Sequence, residues 1–348
     1  MKIGRGLSKD LCAVVLVSFW CIVVYGLAPN ITQAKALTVT PLPILKVGVL
    51  KFGTINWQMN VIKHHKLDAA NGFSLEVIPF ASKNASAVAL QSGAVDIIMT
   101  DLFWVSRQRS QGRPFVIMPT VKATGGVYTT KGTSLTSLMD SKTHSIGIAG
   151  GSVDKNWLLF QAYAKQQNIN IADQLNVKFA APPLLNRLML SGDLDSSINF
   201  WHYNARLEAA GMVLVLPVTT MLSSLGIQSD IPLLGWVFDE NFATESSLLL
   251  KGFLRASFSA KQRLSEQSEE WDRIAHLIKA ENETVFNRLR TYYPETLLNN
   301  FTINEINATQ QLFDVYRSLG GHDLLGQKAA FDANIYWSEA MPIWLSQQ

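Results

Sequence analysis

The sequence predicts an α/β protein of two lobes, each an open, mostly parallel sheet, with a helical C-terminal segment packed on the first lobe. Three observations predict it. Strand and helix patterns alternate from Leu45 to Met118, and the alternation restarts after Gly125-Gly126. A Ser-Gly pair leading through Asp into a strand-like run occurs twice, at Ser92-Gly93 with Asp96 and at Ser191-Gly192 with Asp195. From Phe242 onward only helical periodicity remains.

The elements follow in order. Leu45–Leu50 is an apolar strand running into the polar stretch 52–57, read as a loop. Met59, Ile62 and Ala69 recur at helical spacing, and Asn71-Gly72 ends that helix. Residues 73–80 alternate as a second strand. A helix begins at Ser82, closes at Ser92-Gly93, and gives way to a buried strand at 95–100. Helix 101–111 and strand 114–118 complete this block. The second block has helix 134–139, strand 144–149, helix 154–167, strand 177–180, helix 183–190, strand 194–200, helix 205–210 and strand 212–216. A short strand at 234–238 then leads to helices 242–266, 268–278, 281–291 and 303–319. These are amphipathic and need a surface to cover. The repeated Asp is expected to bond backbone N–H groups where the chain enters a strand. Residues 37–125 are therefore the first segment of lobe 1, 126–224 are lobe 2, and 225–348 return to lobe 1. Two crossings make a cleft that closes by hinge motion.

The first 36 residues read as an export signal. Lys2, Arg5 and Lys9 precede the apolar run 11–27, and Ala34-Lys35-Ala36 offers a cleavage site after Ala36. A retained anchor is the alternative, since the run is near the short limit for a span. Of 30 Lys and Arg against 27 Asp and Glu, cleavage removes Lys2, Arg5, Lys9 and Lys35 with Asp10, leaving no net charge. The basic character belongs to the leader, and nucleic-acid binding is not expected. Cys12 and Cys21, the 2 cysteines of the chain, lie in the leader without the flanking residues of a lipid-attachment site. Residues 37–348 thus form no disulfide, thiolate nucleophile or Cys-ligated metal site.

Enzymatic motifs are missing. There is no Gly-x-Ser-x-Gly elbow, phosphate-binding loop or dinucleotide fingerprint. His64 and His65 sit mid-helix facing different ways, and His144, His202 and His322 lack companions at metal-ligand spacing. No catalytic residue, metal or cofactor is expected.

The segments at 45–50, 64–73, 90–97 (Leu-Gln-Ser-Gly-Ala-Val-Asp-Ile), 137–148 and 190–201 together resemble the type 2 periplasmic substrate-binding proteins of ABC transporters. The nearest group is the nitrate, sulfonate and taurine binders and the thiamine-precursor binders. Leu90–Asp96 is similar to the family's L-x-x-G-x-x-D stretch, and Gly150–Ser152 to its G-S helix opening. Ser141-Lys142-Thr143 departs from the usual Leu-Lys-Gly, and Asp195-Ser196 from Asp-Ala. The resemblance covers residues 45–240 well and the helical tail loosely. It implies a two-lobed fold and a periplasmic monomer that hands a small organic solute to an ABC-type membrane permease. A ligand-occupancy sensor or accessory protein of the same fold is the alternative. Some relatives of the thiamine-precursor binders are enzymes with a cysteine-rich motif, which residues 37–348 lack.

Candidate ligand residues follow from the rule that ligands sit beyond the carboxyl ends of strands, at helix N-termini. They are Thr54, Asn56 and Trp57 after the first strand, Ser82 and Asn84 after the second, and Thr100, Asp101 and Trp104 after the third. Thr124 lies at the first crossing. Gly151 and Ser152 open a lobe-2 helix, Trp201 and Tyr203 follow its last buried strand, and Trp236 follows the return crossing. Several aromatics and few cations suit an organic or cationic ligand more than an inorganic anion. Lys83 and Lys155 are the cations within reach.

Overall fold

The structure is a computed structural model that describes residues 41–140, 143–319, 321–326 and 330–346. The expected signal segment and both cysteines lie outside the described residues.

Among the described residues, ten strands form two five-stranded sheets. The first contains β1 (Ile44–Leu50), β2 (Ser74–Phe80), β3 (Ile97–Asp101), β4 (Phe115–Val121) and, from far along the chain, β10 (Leu234–Asp239), in the order β2-β1-β3-β10-β4. The second contains β5 (Gly126–Thr129), β6 (Ser145–Ile148), β7 (Asn176–Phe179), β8 (Ser196–Ile198) and β9 (Val213–Pro217), in the order β7-β6-β8-β5-β9. In each sheet one strand runs against the rest: β10 pairs antiparallel with β3 and β4, and β5 with β8 and β9. These two are the strands laid down just after each crossing. The α/β, two-lobed, mostly parallel expectation describes this architecture. It missed β5, whose four residues are too few to show a period.

The repeated Ser-Gly…Asp segments perform the same task in both sheets. Asp96 Oδ2 accepts from the backbone N–H of Lys46, and Asp195 Oδ2 from that of Ser145, each at 2.7 Å. Each carboxylate therefore ties the start of its own strand to the neighbouring parallel strand.

Two helices start earlier than their patterns indicate. Helix Ile55–His64 begins where a loop was expected, with Thr54 at its N-cap. Helix Trp201–Ala209 likewise absorbs the stretch after β8. The tail helices Ser247–Glu266 and Ser268–Ile278 pack on helix 55–64 of the first lobe. Helices Glu283–Tyr292 and Ile303–Ser318 also reach the second lobe, against helix 201–209 and helix Lys155–Gln166. Between the lobes the chain crosses at 121–126 and returns at 217–233. Here Val218 N–H donates to Gly125 O and Ala123 N–H to Ile231 O, each at 2.9 Å.

Candidate functional site

The carboxyl ends of β1, β3 and β8 face one cavity between the lobes. It holds about 230 Å³, somewhat below the roughly 300 Å³ at which drug-sized ligand sites begin. Lobe 1 supplies Thr54, Lys83, Thr100 and Asp101. Lobe 2 supplies Asp154, Lys155, Asn156, Asn199, Trp201 and His202, and Thr124 lies at the crossing.

Its charges are built by helix starts. Asp101 caps helix Leu102–Ser110, its Oδ1 accepting from Trp104 N–H at 3.0 Å. Its other oxygen crosses the cleft to Lys155 Nζ, also at 3.0 Å. Burial alone would raise the Asp101 pKa, but Lys155 and Lys83 outweigh it and hold the carboxyl at about 2. Asp154 caps helix 155–166 by accepting from the N–H groups of Asn156 and Trp157. For this group burial wins, and its pKa is pushed up to about 6. Lys83 is exposed along its length, and desolvation around its amino group lowers its pKa despite the nearby Asp101 and Asp154. Its Nζ lies 5.7 Å from the Phe200 ring centroid, and no side chain or carbonyl among the described residues accepts a hydrogen bond from it. It is an uncommitted donor at the cavity wall, and the cavity-lining His202 also has a buried Nδ1 without a partner among the described residues.

Further contacts cross between the lobes. Tyr316 Oη donates to the Lys155 carbonyl at 2.7 Å. Trp201 meets Trp57 edge-on at 5.9 Å between centroids and stacks on Tyr292 at 5.8 Å. Asn156 Nδ2 donates to Thr124 O at 3.0 Å. Burial, with Arg206 nearby, holds His202 at about 3, so its ring is neutral. No group of three His, Cys, Asp or Glu among the described residues is placed to hold a metal ion.

Of the residues expected from sequence, Thr54, Thr100, Asp101, Thr124 and Trp201 line the cavity. The others do not. Trp57 is 6 % exposed because helix 55–64 turns it inward, against Trp271. Trp236 is fully buried in the middle of the sheet, its Nε1 donating to Ser257 Oγ at 2.8 Å. Trp104 packs on Phe115. Asn56 ties its own turn by donating to Leu50 O and Gly53 O. Ser82 caps helix Lys83–Gln91 through Ala85 N–H, and Asn84 is exposed. Gly151 and Ser152 form the turn before Asp154, and Tyr203 lies on the far side of helix 201–209, beside Arg206. Asn199, Asn156 and Asp154 went unselected in the sequence, although each stands at a helix start beyond a strand end.

No protein-family model matches the chain, and no curated protein does. Solved structures do. The periplasmic aliphatic sulphonate binding protein SsuA from Escherichia coli superposes with a TM-score of 0.67 at 14% identity, over 87% of this chain and 99% of that one. The alkanesulfonate-binding protein SsuA from Xanthomonas axonopodis pv. citri, bound to MOPS, gives 0.62 at 13% identity, over 86% and 99%. The periplasmic nitrate-binding protein NrtA from Synechocystis PCC 6803 gives 0.57 at 10% identity, over 88% and 86%. With the two crossings and the matched sheet orders, these likenesses establish that the chain has the two-lobed fold of type 2 periplasmic-binding proteins.

Proposed function

We propose that this chain is an exported, non-catalytic receptor that captures a small organic solute between its lobes and presents it to an ABC-type membrane permease. The carrying observation is the inter-lobe cavity, with the Lys83 ammonium at its wall free of acceptors among the described residues, beside the Asp101–Lys155 bridge. An ammonium at the cavity wall with no protein acceptor has its donors free for a solute that brings acceptor oxygens. Solute contacts to both lobes then favour the form in which the lobes meet, which a partner recognises. The likeness to sulfonate- and nitrate-binding proteins supports the same class of role. It also favours a ligand with an acceptor group over the purely cationic one that the aromatic residues suggest.

The leader at 1–36 supports export to the periplasm, with cleavage after Ala36. Deleting the gene and comparing solute uptake across labelled organic acids and amino acids tests the transport role. Loss of uptake for one solute that the purified chain binds supports it. Binding with undiminished uptake refutes delivery and leaves a sensor.

A further inference from the structure

Behind the main cavity lies a second one of about 90 Å³. The two abut across Ile55, Met99, Trp201 and Leu234. The inner lining contains one cation, Lys261, and no Asp or Glu. Lys261 comes from the inward face of helix 247–266 and is 6 % exposed. Its Nζ donates to Thr120 O at 3.0 Å and faces the rings of Phe258 and Trp344. An ammonium carries three donors, and that carbonyl takes one. Thr120, in the same wall, is 1 % exposed, and its Oγ1 has no hydrogen-bond partner. Two buried polar groups thus line one small chamber with bonding capacity unspent.

The charges around the two cavities differ. The outer one sets Lys83, Lys122 and Lys155 against Asp101 and Asp154, with Lys122 neutralised by Asp230 beside it. The inner ammonium has no counter-charge among the lining residues. Building on the receptor reading above, we propose that the inner chamber is an anion subsite. The acidic head of the solute, a carboxylate or sulfonate, accepts there from Lys261 and Thr120, while the rest of the molecule lies among Lys83, Asp101 and Lys155. The solute is then an organic acid of net charge −1, which leaves the whole site neutral. The chamber holds the volume of about three waters, enough for such a head and too little for the whole molecule. Burial pushes the Lys261 pKa down to about 7, and an arriving anion favours its charged form.

Titration calorimetry with sodium methanesulfonate, a head without a tail, tests this on wild type, Lys261→Met and Thr120→Val. Wild type should bind it at millimolar concentration. Lys261→Met should weaken binding about tenfold or more, as expected for a charge-assisted hydrogen bond. Thr120→Val, nearly isosteric, should weaken it about threefold. Circular dichroism reports whether Lys261→Met folds; if it does not, Thr120→Val decides. Unchanged affinity in the folded variants overturns the subsite. A wild type that takes no methanesulfonate overturns it too. In that case a solute retained from the cell, seen by native mass spectrometry, leaves the receptor reading standing, and its absence removes both.

Discussion

Replacing Asp101 by Asn isolates the Asp101–Lys155 ion pair, which spans the cleft. Asn caps helices as well as Asp, so the bond from Trp104 N–H to Oδ1 survives and only the charge is lost. The Asp101 pKa, held at about 2 against an ordinary 3.8, corresponds to about 2.5 kcal/mol at 1.36 kcal/mol per unit. Lys155 is 20% exposed, so solvent screening trims this to about 2 kcal/mol. Stranding Lys155 beside the like-charged Lys83 adds to the cost. The expected loss is about 2–3 kcal/mol at pH 7. Because the folded pKa is depressed, the contribution is complete above the unfolded pKa near 4. It fades as pH falls through about 2. Urea denaturation of wild type, Asp101→Asn, Lys155→Met and the double variant gives the coupling, provided the m-values agree. Coupling below about 0.5 kcal/mol, the noise of independent sites, would refute the bridge as an inter-lobe tie.

Three other outcomes are expected. Asp154→Asn keeps the cap to Asn156 and Trp157 but cannot ionise. Since the folded pKa is raised to about 6, wild type is stabilised relative to its unfolded chain below pH 4 and loses this as pH rises through 6. The variant should therefore gain relative stability, about 1–3 kcal/mol, between pH 4.5 and 8, and a pH-independent difference in urea midpoint would contradict this. Trp236→Ala should cost about 3–5 kcal/mol in urea denaturation while the folded fraction binds the same solute; a solute lost from folded protein would return Trp236 to the cleft. Trp201→Ala removes a wall shared by both cavities and should weaken solute binding about tenfold, or 1.4 kcal/mol, with unchanged affinity by calorimetry as the opposing result.

The fold was legible because its signals are local. The strand period and Gly72 after a helix each need only a few neighbouring residues to act, and the Ser-Gly…Asp spacing repeats visibly even though Asp96 and Asp195 bond partners 50 residues away. The site was legible only in part. Asp101 and Thr54 stand where strand ends and helix starts meet, which a sequence shows. Lys83 and Lys155 follow strand ends, which the sequence also shows, whereas Lys261 looks like an ordinary surface lysine, since only the packing of a distant helix buries it. The tryptophans misled in the opposite direction. Trp57 ends a stretch whose polar residues read as a loop, yet the helix starts at Ile55 and rotates the ring into the core. Trp236 occupies a strand covered on both faces, which four neighbouring residues do not reveal.

The central claim is that the space between the lobes holds a small organic solute. Native mass spectrometry of the chain purified from its own cells, before and after mild unfolding, tests it most directly. The account predicts one small organic mass per chain that departs on unfolding and is depleted in Lys83→Met. A folded chain that carries no such mass, and gains none when incubated with extract of the same cells, would contradict it.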